Sequence, residues 1–212
     1  MDRSAAVGRI QQQLGFRSDL STEIVTALQD AQSEAERDPV LPWFLRNDDL
    51  TSFSTAADTE TVALPTGFIR ESEGDDLHWY DANAADADKW TELAKHDLTY
   101  LRKNLPGEGE PQAYHLGLTN LFIFPTPDAV YTLRMVYYKA DTTLSTDVEN
   151  QWLLHAHDYL IGKAGRKIAG PLRDALALAE FEKLEASGKL RMFADSEARE
   201  QASTRLIMGG AD

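Results

Sequence analysis

Hydrophobic positions recur at helical spacing near both ends of the chain and alternate in the middle. Ile10 and Leu14 lie one turn apart, and Ile24, Leu28, Ala31 and Ala35 form one apolar stripe. Two helices are therefore expected across roughly 4–37, broken at Gly15 and Ser18. Ser21 is the expected N-cap of the second, Leu20 is placed to staple against Val25, and Asp38-Pro39 is the expected stop. The next stretch, PVLPWFLRN, is too short and too proline-bound for a helix. It reads as an extended anchor burying the Trp43–Phe44 pair, followed by a loop rich in Ser, Thr, Asp and Ala up to Thr59.

From about 60 to 140 the period shortens to two. TVALP and GFIRES are strand candidates on either side of a turn at Pro65-Thr66-Gly67, and DDLHWYDAN is a third, with Leu77 and Trp79 on one face. AYHLGLTNLFIFPTP reads as a hairpin turning at Thr119-Asn120, because Asn tolerates the left-handed conformation. In AVYTLRMVYYKA, Tyr131, Leu133, Met135 and Tyr137 alternate onto one face, so 111–138 reads as a three-stranded antiparallel meander. One amphipathic helix is expected inside this region, over about 87–104, with Trp90, Leu93, Ala94, Leu98 and Leu101 on one face and Pro106-Gly107 as its stop.

The last third returns to the helical period. Thr146 and Glu149 suit a capping box, ahead of a helix through Trp152, Ala156, Tyr159, Leu160 and Lys163. Gly170-Pro171 is expected to kink or split it. Leu172, Ala175, Leu176, Ala179 and Leu184 then form the next apolar stripe, Gly188 reads as a C-cap, and Asp195 as the cap of a final helix over 196–207. The expected class is α+β: a helical bundle body from both chain ends (1–58 and 141–212) with an inserted antiparallel β-rich region (59–140).

Composition narrows the function more than it defines it. The 212 residues suit one domain, or one domain with an insert, and 42% hydrophobic content is enough for a real core. No apolar run approaches the roughly 20 residues that cross a bilayer. The N-terminus lacks the apolar stretch of a signal peptide, so a soluble intracellular protein without membrane contact is expected. The absence of cysteine excludes disulfides, thiolate zinc sites and thiol nucleophiles. A net charge of −14 with no Lys/Arg cluster argues against tight DNA or RNA binding, which needs a basic face that displaces counterions.

Candidate chemistry is sparse. His155 and His157 flank Ala156 ahead of Asp158, but helical residues two apart point in different directions and share one ion poorly. Asp48-Asp49, Asp75-Asp76, Glu108 and Glu110 sit in expected loops, where solvated carboxylates are the default rather than an acid/base pair across a cleft. No nucleophile elbow, dinucleotide fingerprint or P-loop is present. Trp43, Phe44, Trp79, Trp90 and Trp152 each lie in an apolar pattern and read as core or subunit-interface anchors, since a base-stacking platform wants neighbouring Lys and Arg. No cofactor and no catalytic or metal residue is assigned.

Several segments together resemble the head-to-tail adaptor (head completion, tail accessory, connector) proteins of short-tailed bacteriophages. They are RIQQQLGFR, EIVTALQDAQSEAE, PWFLRND, LPTGFIRE, LFIFPTPDAVYTLRMVYYKA and LSTDVENQWLLHAHDYLIGKAGRKIAGPLRD. The resemblance covers nearly the whole chain and includes no catalytic motif. It implies a structural protein of the virion at the capsid–tail junction, assembled in the host cytoplasm, rather than an enzyme. It implies a homo-oligomeric ring, typically of about twelve copies, that docks on the portal protein, receives the tail nozzle or tail-tube protein, and passes genomic DNA without sequence-specific binding. It further implies that the helical body forms the ring, the β-rich insert projects outward or toward the tail, and the C-terminal segment grips the portal. Beside it stand a virion-associated cell-wall hydrolase and a soluble binding module as alternatives. The candidate subunit or partner contacts are Trp43, Phe44, Trp152, Tyr159, Arg173, Phe181, Arg199 and Arg205. The helices at 22–37 and 148–187 are the candidate faces between copies, with the Gly170-Pro171 kink following the ring's curvature.

Overall fold

The computed structural model describes residues 1–47, 53–72, 77–81, 89–145 and 149–208, with side chains described through Arg199. Its class is α+β. Six α-helices occur among the described residues: α1 (Arg3–Gln13), α2 (Ser21–Ala35), α3 (Leu98–Asn104), α4 (Gln151–His155), α5 (His157–Leu172) and α6 (Ala175–Met208). The chain divides into two compact units, residues 1–45 with 140–212, and residues 46–139. Arg46–Asn47 pairs with Tyr137–Lys139, and Phe53–Ser54 pairs with Thr132–Arg134, so these two segments of the expected helical body belong with the sheets.

In the helical unit, Asp2 caps α1 by accepting a 2.8 Å hydrogen bond from the Ala5 amide. The break before α2 is built on left-handed backbone, with φ of 72° at Gly15 and 64° at Phe16. A 3-10 turn at Ser18–Leu20 leads into α2, so Ser21 is not its cap. The Ser21 hydroxyl instead donates to the Ser18 carbonyl and accepts from Gln11 Nε2. The expected stripe of α2 is its buried face: Ile24, Leu28, Ala31 and Ala35, joined by Ala27 and Gln32.

A polar clasp ties the returning chain to α2. Glu36 Oε1 accepts hydrogen bonds from Gln32 Nε2 (3.0 Å), the Asp141 amide (3.2 Å) and Trp152 Nε1 (3.1 Å). Buried Asn150 donates to the Thr142 carbonyl (2.8 Å) and to Gln32 Oε1 (3.4 Å). Its own carbonyl oxygen caps α4 at the Leu153 amide. The buried side chains of this clasp, Gln32 and Asn150, thus meet partners, as a low-dielectric interior demands. Asn150 is the cap that the structure uses; Thr146 lies outside the described residues.

The helical stretch expected over 148–187, kinked or split at Gly170-Pro171, is split there and folds back as an antiparallel hairpin. Pro171 sits in the last turn of α5, and Arg173 takes a left-handed φ of 56°. Asp174 then caps the next helix through the Ala177 amide (3.0 Å), so the chain reverses and no curved rod results. Glycines set how closely the two helices approach. A Cβ on Gly162 would lie 2.3 Å from the Glu185 amide nitrogen, one on Gly188 2.3 Å from the Tyr159 nitrogen, and one on Gly165 2.3 Å from the Phe181 ring. Gly188 is therefore a contact point inside a continuous 34-residue α6, not a cap, and no separate helix starts after Asp195. The inner face of α6 carries Ala177, Phe181, Gly188 and Met192. The expected stripe turns the other way: Leu176 is 83% exposed.

The second unit consists of short sheets. Ala113–Leu116 and Asn120–Phe124 form the expected antiparallel hairpin, closed where the Gly117 amide donates to the Asn120 carbonyl. The meander does not continue from it. Pro125 and Pro127 supply no ladder donor, and Thr126–Pro127 pairs instead with Glu108–Gly109. The strand expected over 129–140 splits: Thr132–Arg134 joins Phe53–Ser54 and His78–Tyr80, whereas Tyr137–Lys139 joins Arg46–Asn47 and Phe68–Glu71. Its alternation holds all the same, with Leu133, Met135 and Tyr137 buried among Leu77, Trp79, Leu93, Tyr114 and Ile123.

The helix expected over 87–104 is reduced to α3, capped by Asp97 at the Thr99 amide (2.7 Å). Upstream, Trp90–Glu92 pairs with His78–Tyr80, and Ala94–Lys95 pairs with Ala113–Tyr114. Leu93 enters the sheet core while its amide donates to the Leu77 carbonyl. Burial and pairing thus override the helical spacing of Trp90 and Leu93.

The glycine contacts give a direct test by denaturant melting. Gly162→Val is expected to destabilise the protein by about 2–4 kcal/mol, because backbone must move to admit the side chain. Gly8→Ala, on an open stretch of α1 with nothing within 4 Å, is expected to stabilise it by up to about 1 kcal/mol.

Candidate interaction surfaces

The residues from Pro39 to Leu45 bring an aromatic pair against α4 and α6. The Leu45 amide donates to the Pro42 carbonyl, closing a 3-10 turn over Trp43–Leu45. The Trp43 ring meets His155 (4.8 Å between centroids) and Phe44 (5.9 Å), and the Arg199 guanidinium lies 3.4 Å over its face. Phe44 stacks on His155 at 5.4 Å and meets Trp152 edge-on at 5.2 Å. The Trp43 amide donates to Ser196 Oγ (3.4 Å), so two successive turns of α6 hold this segment. The cation–π contact and the aromatic edges each add stabilisation on the order of 1 kcal/mol beyond area burial.

Four of the candidate contact residues, Trp43, Phe44, Trp152 and Arg199, therefore meet in one cluster. Trp43 and Phe44 are half-buried and Arg199 is exposed. Trp152, Tyr159 and Phe181 are each 1% exposed or less, and their apolar bulk is packed within the subunit. Arg173 is exposed at the reversal between α5 and α6. Arg205 lies in α6, with its side chain outside the described residues. The sequence reading missed His155 as a member of the cluster; its place one turn after Trp152 was the available signal.

Electrostatics tightens the same region. Tyr159 donates to Asp38 Oδ2 (3.4 Å), which also pairs with Lys189 (3.4 Å). Burial, with the Asp38 charge second, pushes the Tyr159 phenol well above its usual range. Asp158 bridges α1 and α6 by pairing with Arg9 and Arg191, each at 3.2 Å. Burial, with the Arg199 charge second, holds the His155 imidazole below its ordinary value, against opposing pulls from Glu149 and Asp195.

The groups weighed for chemistry do not converge. His155 enters the aromatic cluster, whereas His157 faces Asp158 at 3.5 Å. Glu108 and Glu110 are exposed, and Asp48-Asp49 and Asp75-Asp76 lie outside the described residues. Among the described residues no group of three or more His, Asp or Glu is gathered in a way that holds a metal ion, and no helix is long and apolar enough to cross a membrane. A shallow depression of about 410 Å³ on the second unit is lined by Leu64, Phe68, Leu116 and Leu118, with Arg70 its one charged side chain. It carries no acid/base pair.

The shifted imidazole predicts a pH response. Between its lowered value and the ordinary pKa of about 6.5, unfolded His155 binds a proton that folded His155 does not. Stability therefore rises with pH through that window and is lost as pH falls through it. Melting temperature measured from pH 7 to pH 5 is expected to fall less steeply for His155→Phe, which keeps the ring contacts without the charge, than for the native chain. Equal slopes contradict this.

No curated protein matches the chain. A family model described as SU10 adaptor protein matches residues 1–208, from the first turn of α1 to the end of α6 and through both units. On a match of that extent, the chain belongs to the SU10 adaptor family, a family of bacteriophage head-to-tail adaptor proteins.

Proposed function

We propose that this protein assembles into a closed ring beneath the portal vertex of a short-tailed phage, extends the DNA channel and presents the landing surface for the tail nozzle. Membership of the adaptor family already makes it a structural component at the head-to-tail junction that works with portal and tail proteins. The proposal adds the ring, typically of about twelve copies, with assembly in the host cytoplasm and a role in genome ejection. The observation that carries it is the family match across both units of the chain.

Charge supports the channel role. Sixteen Asp and Glu stand against eight Lys and Arg between residues 46 and 139, in a chain of net charge −14. An acidic wall repels phosphates at close range and is screened beyond about 8 Å at physiological salt. DNA then slides past without a counterion-release term to hold it. The exposed carboxylates Glu108 and Glu110 lack the enclosed, desolvated setting that a cell-wall hydrolase needs for its raised acid.

The test is reconstitution with the portal protein of the same phage, imaged by cryo-electron microscopy. A symmetric collar of this chain on the portal is the expected result, with no gel shift of double-stranded DNA by the chain alone at low salt. A portal that stays bare at saturating concentrations of this chain overturns the proposal.

A further inference from the structure

The chain leaves the helical unit after Leu45 and returns to it at Ala140. Both crossings are held on the short helix α4 and its cap, Asn150. On the exit side, Phe44 meets the Trp152 ring edge-on at 5.2 Å and stacks on His155 at 5.4 Å. Trp43, beside it, lies under Arg199 and donates its amide to Ser196 Oγ. On the return side, the Gln151 amide donates to Asp141 Oδ2 (2.5 Å), and Asn150 Nδ2 donates to the Thr142 carbonyl (2.8 Å). Trp152 belongs to both sides. Its indole N–H donates to Glu36 Oε1 (3.1 Å), the oxygen that also accepts from the Asp141 amide (3.2 Å). All of these residues lie in the helical unit.

We infer that Trp152 and Glu36 form one lock for the two crossings, so that exit and return are released together. Three features make the lock all-or-none. First, a single oxygen, Glu36 Oε1, takes three donors: Gln32 Nε2, the Asp141 amide and Trp152 Nε1. Turning that carboxylate breaks all three bonds at once, because a hydrogen bond weakens steeply with angle. Second, Trp152 is 1% exposed. An indole N–H parted from Glu36 there carries the cost of an unsatisfied buried donor. The indole therefore holds its orientation only while Glu36 holds its own. Third, Phe44 fixes the same ring from the exit side, filling the space into which it would otherwise tilt. Moving Phe44 frees the indole, and a tilted indole frees Glu36.

The exit is the handle. Arg199 and His155 are exposed, and Trp43 and Phe44 are half-buried. The Trp43 bond to Ser196 is 3.4 Å long, near the limit for a hydrogen bond. Whatever draws the Trp43 turn away from Arg199 therefore acts, through Phe44, Trp152 and Glu36, on the Asp141 amide. Contiguity alone does not make such a coupling. The shared oxygen and the shared indole do, because the arrangement that satisfies one side is the one that satisfies the other. The lock stands whether or not copies of the chain close into a ring. Its competitor is a pair of independent anchors that happen to share a helix.

Amide hydrogen exchange of the full-length chain separates the two. It is read at Leu45 on the exit, bonded to the Pro42 carbonyl, and at Asp141 on the return, bonded to Glu36, with the amides of α5 as reference. Arg199→Ala changes an exposed side chain and disturbs the exit alone. Gln32→Leu keeps the bulk and removes the return-side donor to Glu36 and to the Asp141 and Thr142 carbonyls. Each variant is expected to speed exchange at both Leu45 and Asp141 and to leave α5 unchanged. For Arg199→Ala the expected factor is about two to five, the size of an exposed cation–π contact. With Trp152→Phe added, which removes the N–H, each change is expected to speed its own side only. An effect confined to one side in the presence of Trp152 overturns the lock and leaves two independent anchors. An equal rise in α5 overturns it too, since that reports global unfolding. Coupling that survives Trp152→Phe overturns the role of the indole. Arg199→Ala and Gln32→Leu decide between lock and anchors even where Trp152→Phe does not fold.

Discussion

The approach of α5 and α6 backbone to backbone decides what the rest of the helical unit does. Gly162, Gly165 and Gly188 let the two helices meet where any side chain would collide. That contact fixes the rotation of α6 about its axis. Rotation in turn fixes which residues are spent inside, Ala177, Phe181 and Met192, and which are left outside, Leu176 and Leu190. A 34-residue helix spans about 50 Å, more than the 16 residues of α5 cover. The remainder reaches the Trp43 turn, where Ser196 and Arg199 hold the segment that precedes the sheets. One close contact therefore orients both the aromatic cluster and the exposed leucines Leu176 and Leu190.

The clasp around Glu36 complements it from the other chain end. Gln32, Asn150 and Trp152 converge with Glu36 on the backbone of 141–142. A helical body assembled from two distant stretches needs such a joint, because the intervening residues fold as a unit of their own. Hydrogen bonds in a buried network are cooperative and directional, so they specify one register of the returning chain, which apolar packing alone does not. The result is a helical body joined by a polar clasp and a separate β-rich unit. The SU10 adaptor family match spans both parts.

The sequence made the class legible, along with the first two helices and the 113–124 hairpin, because each rests on local spacing and turn chemistry. It also carried the family resemblance in segments such as PWFLRND and ENQWL. Where reading failed, two patterns competed and a distant contact chose between them. The stripes beginning at Leu176 and Ala177 both have helical spacing, and only the glycines of α5 reveal which one turns inward. Gly188 reads as a cap in isolation, because nothing nearby announces Tyr159 across the interface. Trp90 and Leu93 have helical spacing, yet the sheet pairing with His78–Tyr80 takes them. In the candidate site, Trp43, Phe44, Trp152 and Arg199 do come together, while Tyr159 and Phe181 belong to the core. Aromatic residues in an apolar pattern look the same from sequence whether a neighbour or the subunit's own helices cover them.

The orientation of α6 is the claim on which the account turns, and thiol accessibility reads it directly. The chain has no cysteine, so Leu190→Cys introduces a single reporter. Its labelling rate by a maleimide is measured in the free protein and compared with that of Ala177→Cys on the inner face. Fast labelling at 190 and slow labelling at 177 are expected. Slow labelling at 190, or equal rates at the two positions, contradicts this orientation.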